Sequence, residues 1–181
     1  VNTVLGEKSE LRLPHRLAVA LVCATFPLIW VGGLVTTYDA GMAVPDWPQT
    51  YGYNLLLYPW QKWVLGPWDL FIEHGHRLLG ALAGMLSILL AAAIWWRDRR
   101  RWMHGLALAT VLAVIGQGTL GGLRVLRDDV QLAMLHGANG PLFFALCVSL
   151  AVFTSGRWND TSRAVPHLEA VGLHVLAWLT C

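Results

Sequence analysis

The sequence predicts an all-α integral membrane protein, a four-helix bundle with the start of a fifth transmembrane helix. Three observations carry that prediction. Hydrophobic residues make up 56% of the 181-residue chain and charged residues 13%, with a mean hydropathy of +0.51, far from the averages of water-soluble domains. The apolar residues gather into runs long enough to cross the ~30 Å hydrocarbon layer at a rise of about 1.5 Å per residue. The arginines fall in short clusters between these runs rather than along one face, and a formal net charge of +2 gives no ground for nucleic acid as a partner.

In chain order, residues 1–16 form a polar tail with Lys8, Arg12 and Arg16 and no apolar signal core. The bundle is expected over residues 17–155. Its first span runs from Leu17 to Val35, where Pro27 is expected to kink the helix and leave a carbonyl for neighbouring helices to satisfy. Residues 36–69 make a long connection with prolines at 45, 48, 59 and 67 and tryptophans at 47, 60, 63 and 68. Such a loop packs as a lid or stays mobile, and its tryptophans suit headgroup depth. The second span covers about Asp69 to Trp96 and closes on Arg97-Asp98-Arg99-Arg100-Arg101. The third covers about Trp102 to Leu123 and, after a turn from Arg124 to Asp129, the fourth covers about Val130 to Phe153. Residues 156–166 read as a polar linker and 167–181 as a fifth apolar segment, which the family resemblance given below implies is the start of a second, missing half.

Cys23, Cys147 and Cys181 all lie in apolar segments at no metal-site spacing, so neither a disulfide nor a zinc site is inferred. Of the thirteen Lys and Arg residues, nine lie in the tail, the 97–101 loop and the linker; Lys62, Arg77, Arg124 and Arg127 lie on the other side. The positive-inside rule then puts the amino terminus in the cytoplasm or the mitochondrial matrix. The second and fourth spans run in parallel from outside to inside.

Within this frame the sequence Glu73-His74-Gly75-His76-Arg77 opens the second span, and His136 sits near the same end of the fourth. Ionisable groups at membrane depth are costly and mark functional sites. His76 and His136 lie at matched depth, roughly 10 Å from the ends of two parallel helices. Such a pair is able to hold one metal, and two axial imidazoles on haem iron make a six-coordinate centre suited to electron transfer or to anchoring a porphyrin. At 100° per residue, Glu73, His76, Gly80, Gly84 and Ser87 share one stripe, while His74 points about 160° away from His76. Gly80 and Gly84 leave space for a flat macrocycle or for a closely packed helix. Gly116, Gln117, Gly118, Gly121 and Gly122 would admit a bulky ligand from the third span. Arg77, Arg124 and Arg127 stand at the outer boundary, placed for haem propionates or for snorkelling to headgroups. His15, His104, His167 and His174 read as interfacial. Gly32-Gly33-Leu34 and Gly121-Gly122-Leu123 close the first and third spans alike, which suggests two related hairpins. Matching His-Gly dipeptides would then pair His74 with His136, against the helical-face choice of His76.

The ordered motifs Gly-Met-Ala-Val-Pro-Asp-Trp-Pro at 41–48, Glu73-His74-Gly75-His76-Arg77, Gln117-Gly118-Thr119-Leu120-Gly121-Gly122 and His136 resemble the haem A synthase family over residues from about 16 to 155. That resemblance implies an oxidoreductase that converts a ring methyl of haem O to the formyl group of haem A, through two hydroxylations and loss of water, for cytochrome oxidase assembly. It implies eight helices in two similar halves, each with a histidine pair: haem O as substrate at this half and haem b in the missing one. Glu73 and His76 match the family's Glu-x-x-His and His136 the ligand of its fourth helix. The resemblance implies His76 and His136 as metal ligands. Glu73 is expected to be catalytic, taking a proton or stabilising a cation, or else to orient His76. Membrane lipid, haem O synthase and an electron acceptor are the implied partners, in a bacterial plasma membrane or a mitochondrial inner membrane. The chain departs from some relatives in having no cysteine between residues 36 and 69. Two other readings stand beside this one: a non-catalytic bis-histidine cytochrome b that relays electrons, and a haem-free helical scaffold.

Overall fold

Four long helices dominate the computed structural model, which describes residues 11–159: α1 (Arg12–Thr37), α2 (Trp68–Arg97), α3 (Arg101–Arg127) and α4 (Val130–Phe153). All four are long and apolar enough to cross a membrane, and the molecule is an all-helical membrane bundle. The predicted fifth segment from His167, most of the polar linker and the first ten residues lie outside the described residues. Each of α1 and α3 packs against both α2 and α4, so the helices form a ring with α2 and α4 on one diagonal.

Two boundaries differ from the sequence reading, each for a local reason. α1 begins at Arg12 rather than Leu17, with Pro14 in its first turn, where the missing N–H costs nothing. It also continues as helix through Pro27. α3 runs to Arg127, so the turn shrinks to Asp128 and Asp129. Asp128 takes the left-handed conformation (φ 48°) that aspartate tolerates better than most residues, and the Asp129 carboxylate accepts from the N–H groups of Gln131 and Leu132 to cap α4. Arg124 therefore sits on the last turn of a helix.

Lipid tails are as apolar as leucine, so membrane helices associate through close packing, which small residues permit. Ala18, Ala83, Ala107 and Cys147 do this here, filling the half of the bundle away from the long loop together with Leu21, Leu90 and Met103. The hydroxyls of Thr25, Ser87 and Thr110 each donate to the carbonyl one turn earlier, so they enter this core satisfied. Bulky apolar side chains such as Phe26, Trp30, Trp96 and Leu112 face outward. At this end His15 reaches the Ala151 carbonyl on α4, and His104 reaches that of Asp98.

The connection between α1 and α2 is folded onto the other end. It contains a 3-10 turn at Leu55–Leu57, capped by the Asn54 side chain, and one helical turn at Trp60–Val64. The Asp46 carboxylate accepts from the N–H groups of Tyr51 and Gly52, closing a turn in which Gly52 has φ 78°. Burial works to raise the Asp46 pKa, but the N–H donors of Gly52 and Tyr51 and the Arg77 charge outweigh it and hold the carboxyl below its ordinary value.

Candidate functional site

His76 on α2 and His136 on α4 meet across the diagonal of the bundle, their ring centroids 6.1 Å apart and their planes at 88°. Each ring is held in the same way. Nδ1 of His76 lies 3.1 Å from the carbonyl of Leu28 on α1, and Nδ1 of His136 lies 3.1 Å from the carbonyl of Gln117 on α3. A carbonyl only accepts, so the ring proton sits on Nδ1 and the lone pair is left on Nε2. Neither Nε2 has a hydrogen-bond partner among the described residues.

A glycine one turn beyond each carbonyl makes this contact possible. A Cβ on Gly32 would lie 2.9 Å from Cε1 of His76, and one on Gly121 would lie 3.1 Å from Cε1 of His136. Both rings therefore rest against bare backbone. The glycine motif that ends both α1 and α3 thus corresponds to a shared side-chain seat. It also fixes the correspondence between the hairpins: His76, not His74, is the counterpart of His136.

The pair suits haem iron in ligand type and number. Two imidazoles at this separation are able to share one metal held at about 2 Å from each nitrogen. No group of three or more His, Cys, Asp or Glu gathers among the described residues, so a metal here would need its other ligands from elsewhere, as haem iron has from its porphyrin. Space is present beside the site. A Cβ added at Gly80, Gly84, Gly116 or Gly137 meets nothing within 4 Å, so no helix packs closely on the Gly80–Gly84 stripe below His76.

The charged residues of the motif bind the loop. Glu73, only 1% exposed, accepts from the Val44 N–H at 2.8 Å through Oε2 and pairs with Arg77 at 2.7 Å through Oε1. It makes no hydrogen bond to His76. Arg77 also donates to the carbonyls of Val44, Asp46 and Gln49, which commits four of its five N–H donors and leaves that on Nε. Arg124 is half-buried against Gly41, where an added Cβ would fall 2.5 Å from Nη1, and its guanidinium makes no hydrogen bond among the described residues. His74 points away from His76 into the loop, where its Nδ1 meets the buried Thr50 hydroxyl at 3.0 Å between the rings of Tyr58 and Trp63. Trp47 lies directly on Gly122, as an added Cβ there would sit 2.3 Å from the indole. The loop is therefore a docked lid over the histidine end of the bundle.

Sequence reasoning missed the Leu28 and Gln117 carbonyls, the Val44 N–H and Thr50. Backbone groups leave no signature in residue type, and Thr50 has none in helical spacing because it lies in the loop. Two grooves accompany the site. One of about 300 Å³ opens between α3 and α4 and is lined by Gln117, Asn139 and apolar residues. The other, about 510 Å³, lies at the far end of the bundle between α1 and α4, away from both site histidines.

The chain is similar to several curated proteins named heme A synthase. That of Symbiobacterium thermophilum is 31% identical over 144 residues, covering 76% of this chain and 42% of the relative. That of Shouchella clausii is 34% identical over 156 residues, covering 83% and 49%, and that of a Bradyrhizobium species 30% over 177 residues, covering 90% and 47%. The chain thus spans about half the length of the curated relatives it matches. No family model and no solved structure matches it.

Proposed function

Because this chain belongs to the haem A synthase family, we propose that its bundle holds haem O between His76 and His136 for oxidation of a ring methyl to the formyl of haem A. The observation that carries the reading is the pair of imidazoles on diagonal helices, each with Nδ1 on a backbone carbonyl and Nε2 without a hydrogen-bond partner among the described residues. Metal-bound histidines usually have such a partner, which fixes the tautomer and raises the basicity of the ligating nitrogen. Bound haem O would supply both the iron and the methyl group that is oxidised.

The protein's own groups then have separate tasks. His76 and His136 would hold the iron through their Nε2 atoms. Arg124, with its donors uncommitted among the described residues, takes a propionate. Arg77 contributes through Nε at the rim while its other donors hold the lid. Glu73 keeps the lid docked. To take a proton from the reacting edge, as the family motif implies, it would have to release Arg77 or Val44. By the positive-inside rule the lid faces away from the cytoplasm or matrix.

That engagement of Glu73 is also what favours the second reading, a bis-histidine cytochrome b that only relays electrons. One experiment separates them. The chain is produced with haem O available, its haems are extracted and identified by mass, and the same is done for Glu73→Gln. Haem A or its hydroxylated precursors in the parent protein, lost in Glu73→Gln while the haem still binds, support the enzyme with an acid–base role for Glu73. Product that survives the substitution leaves Glu73 a positioning residue, and haem b alone in both proteins supports the relay.

A further inference from the structure

Among the described residues, one buried side-chain polar atom has no hydrogen-bond partner: Oε1 of Gln117. Its amide is not free to turn over. Nε2 donates to the His136 backbone carbonyl at 3.3 Å, and exchanging the two ends would set acceptor against acceptor. Burying an acceptor without a donor is costly, and folded proteins rarely leave such a group uncompensated. The first hairpin shows that an imidazole seat does not require this amide. The residue in the position of Gln117 there is Leu28, whose carbonyl holds His76 equally well. The amide is therefore surplus to the histidine seat, and its oxygen lacks a donor among the described residues.

Gln117 also lines the 300 Å³ groove between α3 and α4, whose other walls are Ala113, Gly116, Leu120, Leu142 and Phe143, with Asn139 at one side. Such a groove fits an apolar chain that carries one polar group close to its anchored end. We propose that Gln117 and this groove receive the hydroxylated isoprenoid tail of the haem substrate, the tail hydroxyl donating to Gln117 Oε1. The proposal rests on the haem O reading above. Haem O carries this tail where haem b has a vinyl group, on the part of the ring away from the propionates. Arg124 and Gln117 are seven residues, about 10 Å, apart along one helix. They are spaced to grip opposite edges of one ring, and so to choose a single orientation for an asymmetric ligand between two near-equivalent histidines.

The test is a titration of the purified 181-residue chain in detergent with haem O and, separately, haem b, followed by the Soret band. Gln117→Leu, which installs the residue of the first hairpin, is expected to weaken haem O roughly tenfold and to leave haem b unchanged. Gly116→Leu fills the groove from a position where an added Cβ meets nothing, and it is expected to act in the same direction. Equal weakening of both haems by Gln117→Leu would make the residue a clamp on His136 and overturn the proposal, as would haem O binding that neither variant alters. If the parent chain takes up haem b but does not prefer haem O, the tail proposal fails while the axial pair stands. If neither haem shifts the Soret band, the axial reading fails and the tail proposal with it.

Discussion

The α1–α2 and α3–α4 hairpins build the same imidazole seat and differ in almost everything around it. In both, a carbonyl and a glycine one turn apart on the first helix receive a histidine from the second: Leu28, Gly32 and His76 in one, Gln117, Gly121 and His136 in the other. Around that common device the registers diverge. Glu73 stands where the second hairpin has Ala133, Arg77 where it has Gly137, Gln117 where the first has Leu28, and Arg124 where the first has Val35. The joining segments diverge too, a docked lid in one and the two aspartates Asp128 and Asp129 in the other. The shared part sets what the two nitrogens are able to ligate. The unshared part supplies the lid that covers this end of the bundle and, on the reading proposed above, would set which way round an unsymmetrical ligand sits.

The strongest way to break this comparison is to remove either imidazole. His76→Ala and His136→Ala should each abolish the low-spin bis-histidine spectrum of the haem-loaded chain; a six-coordinate spectrum that survives either change would show that the seats are not paired on one iron. Next in size is Arg77→Ala, which strands a buried carboxylate. Breaking one side of such a pair costs roughly 3–5 kcal/mol, and the loss should appear as rapid proteolysis within the 38–67 lid. Its register partner offers the contrast: Gly137→Ala meets nothing within 4 Å and should leave proteolysis unchanged.

The glycines sharpen the comparison further. Gly32→Ala should lower haem affinity by about tenfold, in line with the loss of a ligand's supporting contact, and Gly121→Ala by less, because its Cβ would clear the ring by 3.1 rather than 2.9 Å. Alanine favours helix over glycine by about 1 kcal/mol, which offsets part of the cost of displacing the imidazole, so thermal stability of the haem-free protein should change far less than haem affinity, and a large fall would point to general misfolding. The smallest effect concerns acid. The Asp46 carboxyl is held below its ordinary value when the lid is folded, so it favours the folded lid at neutral pH. That contribution fades as pH drops below the ordinary carboxylate value and is gone below the depressed one. Protection of the Tyr51 and Gly52 amides against hydrogen exchange, taken relative to the intrinsic rate at each pH, should fall over that window, and in Asp46→Asn that fall should be absent.

Much of the molecule is legible from residue type and spacing. The four spans follow from hydropathy and length, and the choice of His76 over His74 follows from 100° of rotation per residue. The repeated glycine motif was visible as well, but the dipeptide match it suggested joined His74 to His136. Only the carbonyls of Leu28 and Gln117, one turn before the glycines, show that the register runs through His76. Glu73 shows the opposite limit. A buried carboxylate one turn from a ligand reads as chemistry, yet of its two partners only Arg77, one turn on along the same helix, follows from spacing; the other, the Val44 N–H, comes from a loop nearly thirty residues upstream, and helical periodicity carries no information about where a loop returns.

By itself, then, the chain determined which segments lie in lipid and which faces turn inward, because both depend on transfer energy and local helical geometry, which act residue by residue. Tertiary structure alone decided which carbonyl each imidazole meets, which guanidinium is spent on the lid and which amide oxygen is left waiting. Those outcomes depend on backbone groups that every residue shares, and only the packing of one helix on another selects among them.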